Sequence, residues 1–169
     1  MSAAVSDLKI AIAGLGVVGS EVARQIISRR DELAAAGGRP ISIVAVNARD
    51  SAIDRGFSME GIDWVDNAVE LATRSDVDVI VEMIGGSDGV ALDLARQSLA
   101  AGKGFVTANK AMLAHHGAEL ASIAEENNAN LSFEAAVAGG IPAVKTLREG
   151  LSGNKINRIA GILNGTCNY

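Results

Sequence analysis

A glycine-rich turn between a strand pattern and a helix pattern is the feature that most constrains what this sequence can fold into. The short apolar run at residues 10–13 is typical of a strand buried on both faces, and apolar residues recur at helical spacing from Val17 onwards. Between the two patterns, Gly14, Gly16 and Gly19 stand in the spacing G-x-G-x-x-G. A strand, this turn and a helix in immediate succession predict a loop that holds the phosphates of a dinucleotide.

Each glycine has a physical role in this interpretation. Gly14 permits the tight turn out of the strand, Gly16 lets the backbone approach a pyrophosphate, and Gly19 lets the helix pack closely on the sheet. Unpaired N–H groups at the helix N-terminus then face the phosphates, where the helix dipole favours negative charge. An ordinary turn is the weaker alternative, because the flanking patterns are those of a strand and a helix. The predicted phosphate-binding residues are Gly14, Leu15, Gly16, Val17, Val18 and Gly19.

The composition excludes several classes of protein. The 169 residues carry a net charge of −5 with no basic run, which argues against a nucleic-acid partner. No apolar stretch approaches the roughly 20 residues that span a bilayer, and residues 1–7 lack the basic-then-apolar order of a signal peptide. The single cysteine, Cys167, excludes an internal disulfide framework and a zinc site built on cysteines. We therefore expect a cytoplasmic protein without a membrane or nucleic-acid partner.

Strand and helix patterns alternate along the whole sequence. Apolar, β-branched runs predict further strands at residues 41–46, 77–84, 104–107, 130–135 and 155–163. Helical patterns predict helices at residues 17–36, 66–74 (capped by Asp66), 88–101, 110–128 and 142–150. This alternation predicts an α/β fold, a Rossmann-type doubly wound parallel sheet of about six strands with helices on both faces. We expect residues 1–163 to form this one domain.

The end of the second predicted strand bears on which dinucleotide binds. An acidic residue there usually accepts a hydrogen bond from the ribose 2′-hydroxyl of NAD. Here the strand is followed by Asn47, Ala48, Arg49 and Asp50, so no carboxylate stands directly at its end. Arg49 can pair with the 2′-phosphate of NADP, which favours NADP as the cofactor. The carboxylate of Asp50 leaves NAD open as the cofactor. The alternative interpretation of Arg49 is a solvated loop charge with no role in binding.

Two further groups follow strands that we expect to end at the same edge of the sheet. Gly85 and Gly86 come after the strand at residues 77–84, where the backbone can approach the nicotinamide half of the cofactor. An ordinary turn into the next helix explains the glycine pair equally well. Lys110 follows the strand at residues 104–107 and is predicted to face the same crevice. Its amine can hold a substrate carboxylate, a carbonyl or a cofactor group, or it can be an ordinary surface lysine.

Five segments, in the correct order, resemble one enzyme family. They read GLGVVG at residues 14–19, EMIGG at 82–86, VTANK at 106–110, FEAAVAGGIP at 133–142 and GILNGTCNY at 161–169. The last string closely resembles the signature of the homoserine dehydrogenases. The resemblance implies an NAD(P)-dependent oxidoreductase that interconverts L-homoserine and L-aspartate 4-semialdehyde, on the route to threonine, methionine and isoleucine.

The resemblance also implies roles for individual residues. Lys110 matches the family's lysine beside the nicotinamide and the substrate, and it is the candidate catalytic residue. The implied cofactor-binding residues beyond the glycine loop are Arg49, Gly85, Gly86, Thr107 and Lys110. A glycine-rich turn can aim several carbonyls at a hard cation, and the family's site for a monovalent cation such as sodium matches Glu134, Val137, Gly139 and Ile141. The turn that enters the substrate region matches Gly165 and Thr166.

The sequence departs from the family in length. Family members continue with a region that binds the small-molecule substrate, forms the homodimer and supplies acidic substrate ligands and a second lysine as proton donor. By this resemblance, residues 164–169 begin that region, and we expect a truncated chain that carries the cofactor portion and is inactive alone. Two alternatives stay open, namely a nucleotide-binding module without catalysis and another amino-acid or semialdehyde dehydrogenase of similar architecture.

Overall fold

Six parallel strands form one sheet in the part of the protein that the structure describes. The structure is a computed structural model that describes residues 6–139 and 141–161. The strands are β1 (Leu8–Ala13), β2 (Ile41–Asn47), β3 (Asp63–Trp64), β4 (Val79–Glu82), β5 (Gly104–Thr107) and β6 (Leu131–Ser132). Their order in the sheet is β3-β2-β1-β4-β5-β6, and every neighbouring pair is parallel. This is the order of a doubly wound dinucleotide-binding fold, so the predicted fold class is confirmed.

Helices pack on both faces of the sheet. They are α1 (Val17–Ser28), α2 (Arg30–Gly37), a 3-10 helix (Ala68–Thr73), α3 (Val90–Ala100), α4 (Lys110–Glu126) and a short α5 (Ala143–Lys145) that continues into a π-helical turn (Thr146–Gly150). Within the described residues, no helix combines the length and the apolar character that crossing a membrane requires.

Side chains of the central strand β1 alternate between two hydrophobic cores. Ile10 and Ile12 pack on the face covered by α1, whose Ala23 is fully buried there. Ala11 and Ala13 point to the opposite face, which packs against the 3-10 helix, α3 and α4. Since β1 is buried on both faces, its side chains are apolar at consecutive positions, which is typical of a strand inside a parallel sheet.

The register places the ends of four neighbouring strands in one row. Ala13 pairs with Asn47 on one side and with Glu82 on the other, and Glu82 pairs in turn with Thr107. Because all four strands run in the same direction, the loops that follow these residues leave the sheet side by side. The glycine loop after β1 therefore lies between the loops after β2 and β4, at the edge where open α/β sheets bind ligands.

Two helix predictions differ from the structure in detail. The helix predicted at residues 17–36 is two helices, because the backbone at Arg29 leaves the helical region between α1 and α2 (φ −111°, ψ 25°). The predicted cap Asp66 is also wrong. Asn67 caps the 3-10 helix instead, since its side-chain oxygen accepts a hydrogen bond from the Val69 N–H at 3.2 Å.

The strand predicted at residues 155–163 is wrong for the residues that the structure describes. Residues 155–161 adopt no regular secondary structure and are exposed to solvent. Apolar, β-branched residues supply only a propensity, and a strand forms where it finds a neighbour to pair with. The sixth strand is instead β3, at one edge of the sheet, whose Asp63 and Trp64 pair with Ala45 and Val46 of β2.

Replacing Phe105 with alanine tests the assignment of the core. Phe105 lies in β5 and is fully buried under α3 and α4. The cavity should lower the free energy of unfolding by about 3–5 kcal/mol. Val90→Ala, at the half-exposed start of α3, is the control and should change it by less than about 0.5 kcal/mol. Denaturant titration of both variants measures the difference, and equal losses would contradict the assignment.

Candidate functional site

Two of the three motif glycines are required by close backbone contacts. Gly14 has a φ of 97°, and a Cβ atom there would lie 2.7 Å from the backbone carbon and oxygen of Met83. A Cβ atom on Gly19 would lie only 1.8 Å from the carbonyl oxygen of Gly14. A side chain on Gly19 would therefore separate α1 from the turn after β1, and a side chain on Gly14 would separate that turn from the backbone after β4.

The middle glycine faces open space. Gly16 is the N-cap of α1 in an ordinary extended conformation, with no side-chain hydrogen bond capping the helix, and a Cβ atom on it would meet nothing within 4 Å. Val17 and Val18 in the first turn are 90% and 60% exposed. The first N–H groups of a helix have no partner inside the helix, so here they face an open approach. This geometry fits the pyrophosphate group of a dinucleotide.

In the loop after β2, the polar side chains on either side of Arg49 bind to described residues of the protein itself, whereas that of Arg49 does not. Asn47 is buried, and its amide donates to the carbonyl oxygens of Val65 at 2.8 Å and Asp66 at 3.1 Å. The Asp50 carboxylate accepts a hydrogen bond from the Ala52 N–H at 2.8 Å in a local turn. Arg49 is exposed and makes no side-chain hydrogen bond or ion pair to the part of the chain that the structure describes.

Arg55 joins this loop to the glycine loop, which sequence reasoning missed. Its guanidinium donates to the carbonyl oxygens of Leu15 at 3.2 Å, Ile53 at 2.8 Å and Asp50 at 2.5 Å. It also lies over the ring of Trp64, 5.3 Å from the centroid. A cavity of about 310 Å³ opens here, lined by Ser51, Ile53, Asp54, Arg55, Phe57, Met59, Ile62 and Trp64. An arginine in a polar loop gives no signal in the sequence that it binds backbone carbonyls.

The loops after β4 and β5 are tied together on the other side of the glycine loop. Gly85 and Gly86 both have positive φ angles, 82° and 86°. Asn109 caps α4 by accepting a hydrogen bond from the Met112 N–H at 3.0 Å, and its amide donates to the Gly86 carbonyl oxygen at 2.6 Å. Lys110 is the first residue of α4 and is exposed. The structure therefore brings the glycine pair and the start of α4 together, and the role of Lys110 stays a prediction.

A second contact between these elements involves His116 on α4. Its Nε2 lies 2.9 Å from Oδ1 of Asp88, at the end of the Gly85–Gly86 turn. The pKa of the Asp88 carboxyl lies below its usual value, because two neighbours stabilise the ionised form. The larger effect comes from the Ser87 hydroxyl, which donates to Asp88 at 2.5 Å, and the smaller one from the His116 ring. This cluster adds a polar link between the glycine turn and α4 at the protein surface.

The residues predicted to hold a cation lie in the loop between β6 and α5. The strand predicted at residues 130–135 ends at Ser132, so Glu134 lies in an exposed turn. Val137, Gly139 and Ile141 follow in the same loop and are exposed as well. In the described residues, no three His, Cys, Asp or Glu side chains are grouped to hold a metal. A site of backbone carbonyls is a different arrangement and stays a prediction. Gly165 and Thr166 lie outside the described residues.

Family models match most of the sequence. Residues 14–134 match the NAD-binding domain of homoserine dehydrogenase, and residues 142–169 match a second model described as homoserine dehydrogenase. The chain belongs to the homoserine dehydrogenase family. The glycine loop and the edge of the sheet described above therefore lie in the NAD-binding domain of that family.

Relatives in the family share this similarity over nearly the whole chain. The homoserine dehydrogenase of Mycobacterium leprae is 44% identical over 95% of the chain, and that of Corynebacterium glutamicum is 44% identical over 97%. The chain spans 36% of the length of each.

Solved structures give the same result. A homoserine dehydrogenase from Thiobacillus denitrificans superposes with a TM-score of 0.77 at 34% identity. The match covers 89% of this chain and 35% of the Thiobacillus denitrificans chain. A hyperthermophilic archaeal homoserine dehydrogenase in complex with NADPH superposes with a TM-score of 0.71 at 25% identity. That match covers 88% of this chain and 50% of the archaeal chain.

The contact between Gly19 and Gly14 predicts a large difference between two glycine substitutions. Gly19→Ala places a methyl group on the Gly14 carbonyl and should lower the free energy of unfolding by about 1–3 kcal/mol or more. Gly16→Ser points into open space and adds a good N-cap residue, so it should leave the free energy of unfolding unchanged or raise it by a few tenths of a kcal/mol, roughly. Thermal and denaturant unfolding of the two variants measures this, and equal stability would disprove the close contact.

Proposed function

We propose that this chain is the nicotinamide-cofactor portion of a homoserine dehydrogenase, which interconverts L-homoserine and L-aspartate 4-semialdehyde. The observation that carries the proposal is the shared edge formed by the glycine loop, the Gly85–Gly86 turn and the start of α4, in a chain of this family. The chain spans 36% of the length of the relatives described above. The proposed activity is therefore that of a whole enzyme of which this chain is one part.

Each part of the edge has a task in this reaction. The backbone N–H groups at the start of α1 bind the pyrophosphate, and the open side of Gly16 gives it access. A bound nicotinamide cofactor would supply hydride transfer, by which the carbinol carbon of homoserine is oxidised to the aldehyde or the aldehyde carbon is reduced. The hydroxyl proton leaves to a base in one direction and comes from an acid in the other. Lys110, exposed at the same edge, holds the substrate carboxylate or polarises its carbonyl oxygen.

The loop after β2 supports a preference for NADP. Asp50 is held in its own turn, so its carboxylate is directed to the Ala52 N–H. Arg49 is exposed beside it and suits the 2′-phosphate as a charge-assisted partner. The archaeal relative whose structure contains NADPH supports the same choice.

Three further parts of the proposal rest on the family resemblance. They are a monovalent cation such as sodium in the loop that contains Glu134, homodimer formation by the whole enzyme, and the role of residues 164–169 as the start of the substrate region. The cytoplasmic location suggested by the single cysteine likewise stays a prediction.

Cofactor binding by residues 1–169 tests the proposed function. The single tryptophan, Trp64, is the last residue of β3, and its ring lies beside Arg55 of the loop after β2. Energy transfer from Trp64 to reduced nicotinamide should therefore report binding of NADPH. We expect saturable binding, with homoserine oxidation at least about 10²–10⁴-fold below that of the Corynebacterium glutamicum enzyme, because residues 1–169 span 36% of that relative's length and the resemblance implies a proton donor in the remainder. Absence of NADPH binding would refute the proposal, and turnover equal to the relative's would refute the assigned division of labour.

Gly16→Val tests the role of the glycine loop. The substituted side chain has room in the fold, yet it occupies the space through which the pyrophosphate must approach. NADPH affinity should therefore fall by tenfold or more, roughly, while the free energy of unfolding falls by no more than about 1 kcal/mol, because valine is a poorer N-cap residue than glycine. Calorimetric titration alongside thermal unfolding separates the two effects. Unchanged affinity would show that the loop is only a turn.

Arg49→Ala tests the preference between cofactors. A charge-assisted hydrogen bond contributes roughly 1.5–3 kcal/mol before solvent screening, and exposure of Arg49 reduces that value. We expect the wild type to bind NADPH tens of times more tightly than NADH, and the variant to lose affinity mainly for NADPH. Titrations of both cofactors against both proteins measure the gap. Equal wild-type affinities, or equal losses for the two cofactors, would contradict the assignment.

A further inference from the structure

We propose that Glu82 is a positioning residue, which fixes the Gly85–Gly86 turn and the start of α4 so that the nicotinamide half of the cofactor binds in one orientation. This inference rests on the proposed function, and it assigns a task to a side chain that cannot itself reach the cofactor. Glu82 is the last residue of β4 and has no exposed surface. It makes no ion pair with the described part of the chain.

The Glu82 carboxylate accepts hydrogen bonds from two loops. Its Oε1 accepts from the backbone N–H groups of Ile84 at 2.6 Å and Gly85 at 3.0 Å. Its Oε2 accepts from the Thr107 hydroxyl at 2.5 Å, across the pair of strands β4 and β5. A buried carboxylate without a cationic partner is stable only when such donors surround it. An ionised carboxylate can only accept, so it matches three donors at once.

The hydrogen bonds continue from Thr107 and return to the glycine turn. The Thr107 oxygen accepts from the Asn109 N–H at 2.9 Å. The Asn109 side chain then donates to the Gly86 carbonyl oxygen at 2.6 Å while capping α4. The circuit therefore runs from Glu82 through Thr107 and Asn109 to the glycine turn, and back to Glu82 through the Gly85 N–H.

The circuit matters to the glycine turn because the two glycines have no side chains with which to pack against the protein. A Cβ atom on Gly85 would meet nothing within 4 Å, and one on Gly86 would meet only the Asp88 carbonyl oxygen at 3.9 Å. Two consecutive glycines with positive φ angles have wide conformational freedom unless other contacts fix them. Glu82 binds the N–H groups of Ile84 and Gly85, and Asn109 binds the carbonyl of Gly86. These three hydrogen bonds select one conformation of the turn and leave the Cβ sides of both glycines open.

The carboxylate is also the part of the circuit that an amide cannot replace. In Glu82→Gln, the amide oxygen can still accept from Ile84 and Gly85, but the NH₂ group then points at the Thr107 hydroxyl. Thr107 would accept from both neighbours, and its own hydrogen would lose its partner inside the protein. The shape of the side chain is conserved, but the hydrogen bond to Thr107 is reversed and the Thr107 hydroxyl hydrogen is left without a partner.

The test compares NADPH with its analogue that lacks nicotinamide, 2′-phosphoadenosine diphosphoribose. We expect Glu82→Gln to weaken NADPH binding about tenfold, equivalent to about 1.4 kcal/mol, and to leave binding of the analogue unchanged. Glu125→Gln, an exposed change on α4, is the matched control and should alter neither affinity. Equal losses for both ligands in Glu82→Gln, or no loss for either, would overturn the positioning role.

A second pair of variants covers the case in which Glu82→Gln does not fold. Thr107→Val removes the hydroxyl link and should weaken NADPH selectively, whereas Thr107→Ser keeps the hydroxyl and should restore the affinity. A valine variant with wild-type NADPH affinity, or a serine variant as weak as valine, would overturn the proposal. Wild-type protein that binds neither ligand would instead refute the proposed function, and with it this inference.

Discussion

The contact between the first turn of α1 and the carbonyl of Gly14 determines how the rest of the site is built. Without a Cβ atom on Gly19, the helix can approach the turn after β1 closely enough for backbone to touch backbone. That approach aims the first N–H groups of α1 over the edge of the sheet. It also places the turn against Met83, the residue that follows β4. The missing side chains of Gly14 and Gly19 thus set the relation between helix, turn and the neighbouring strand.

The register of the sheet places the loops of the neighbouring strands beside this contact, so that the candidate site extends along the edge of the sheet. Because Asn47, Ala13, Glu82 and Thr107 end their strands in one row, four loops emerge together. Their lateral spacing is fixed by backbone hydrogen bonds, and side chains refine it. Arg55 connects the loop after β2 to the glycine loop, and Asn109 connects the loops after β4 and β5. The two halves of a dinucleotide would therefore rest on two separately braced parts of the same edge.

The parts of the fold that were predictable from the sequence are those determined over short range. The motif glycines, the apolar runs of β1, β2 and β5, and the glycine pair after β4 carry their meaning in neighbouring residues. The break at Arg29 and the choice of β3 as the edge strand were not predictable, because they depend on which surfaces meet in three dimensions. For the same reason the contacts of Arg55 and the buried circuit through Glu82 had no signal in the sequence. Each depends on a contact between residues far apart in the sequence, Arg55 with Leu15 and Glu82 with Thr107 (sequence separations of 40 and 25).

The buried amide of Asn47 limits how cofactor specificity can change in this protein. The end of β2 is where an acidic residue would usually be introduced to favour NAD. Here that position donates two hydrogen bonds, which hold the segment after β3 against the sheet. A carboxylate in its place would face two carbonyl oxygens, so the same exchange would loosen the sheet's edge. Engineering or natural drift toward NAD is therefore directed to the exposed residues just beyond the strand, where a change of charge leaves the fold intact.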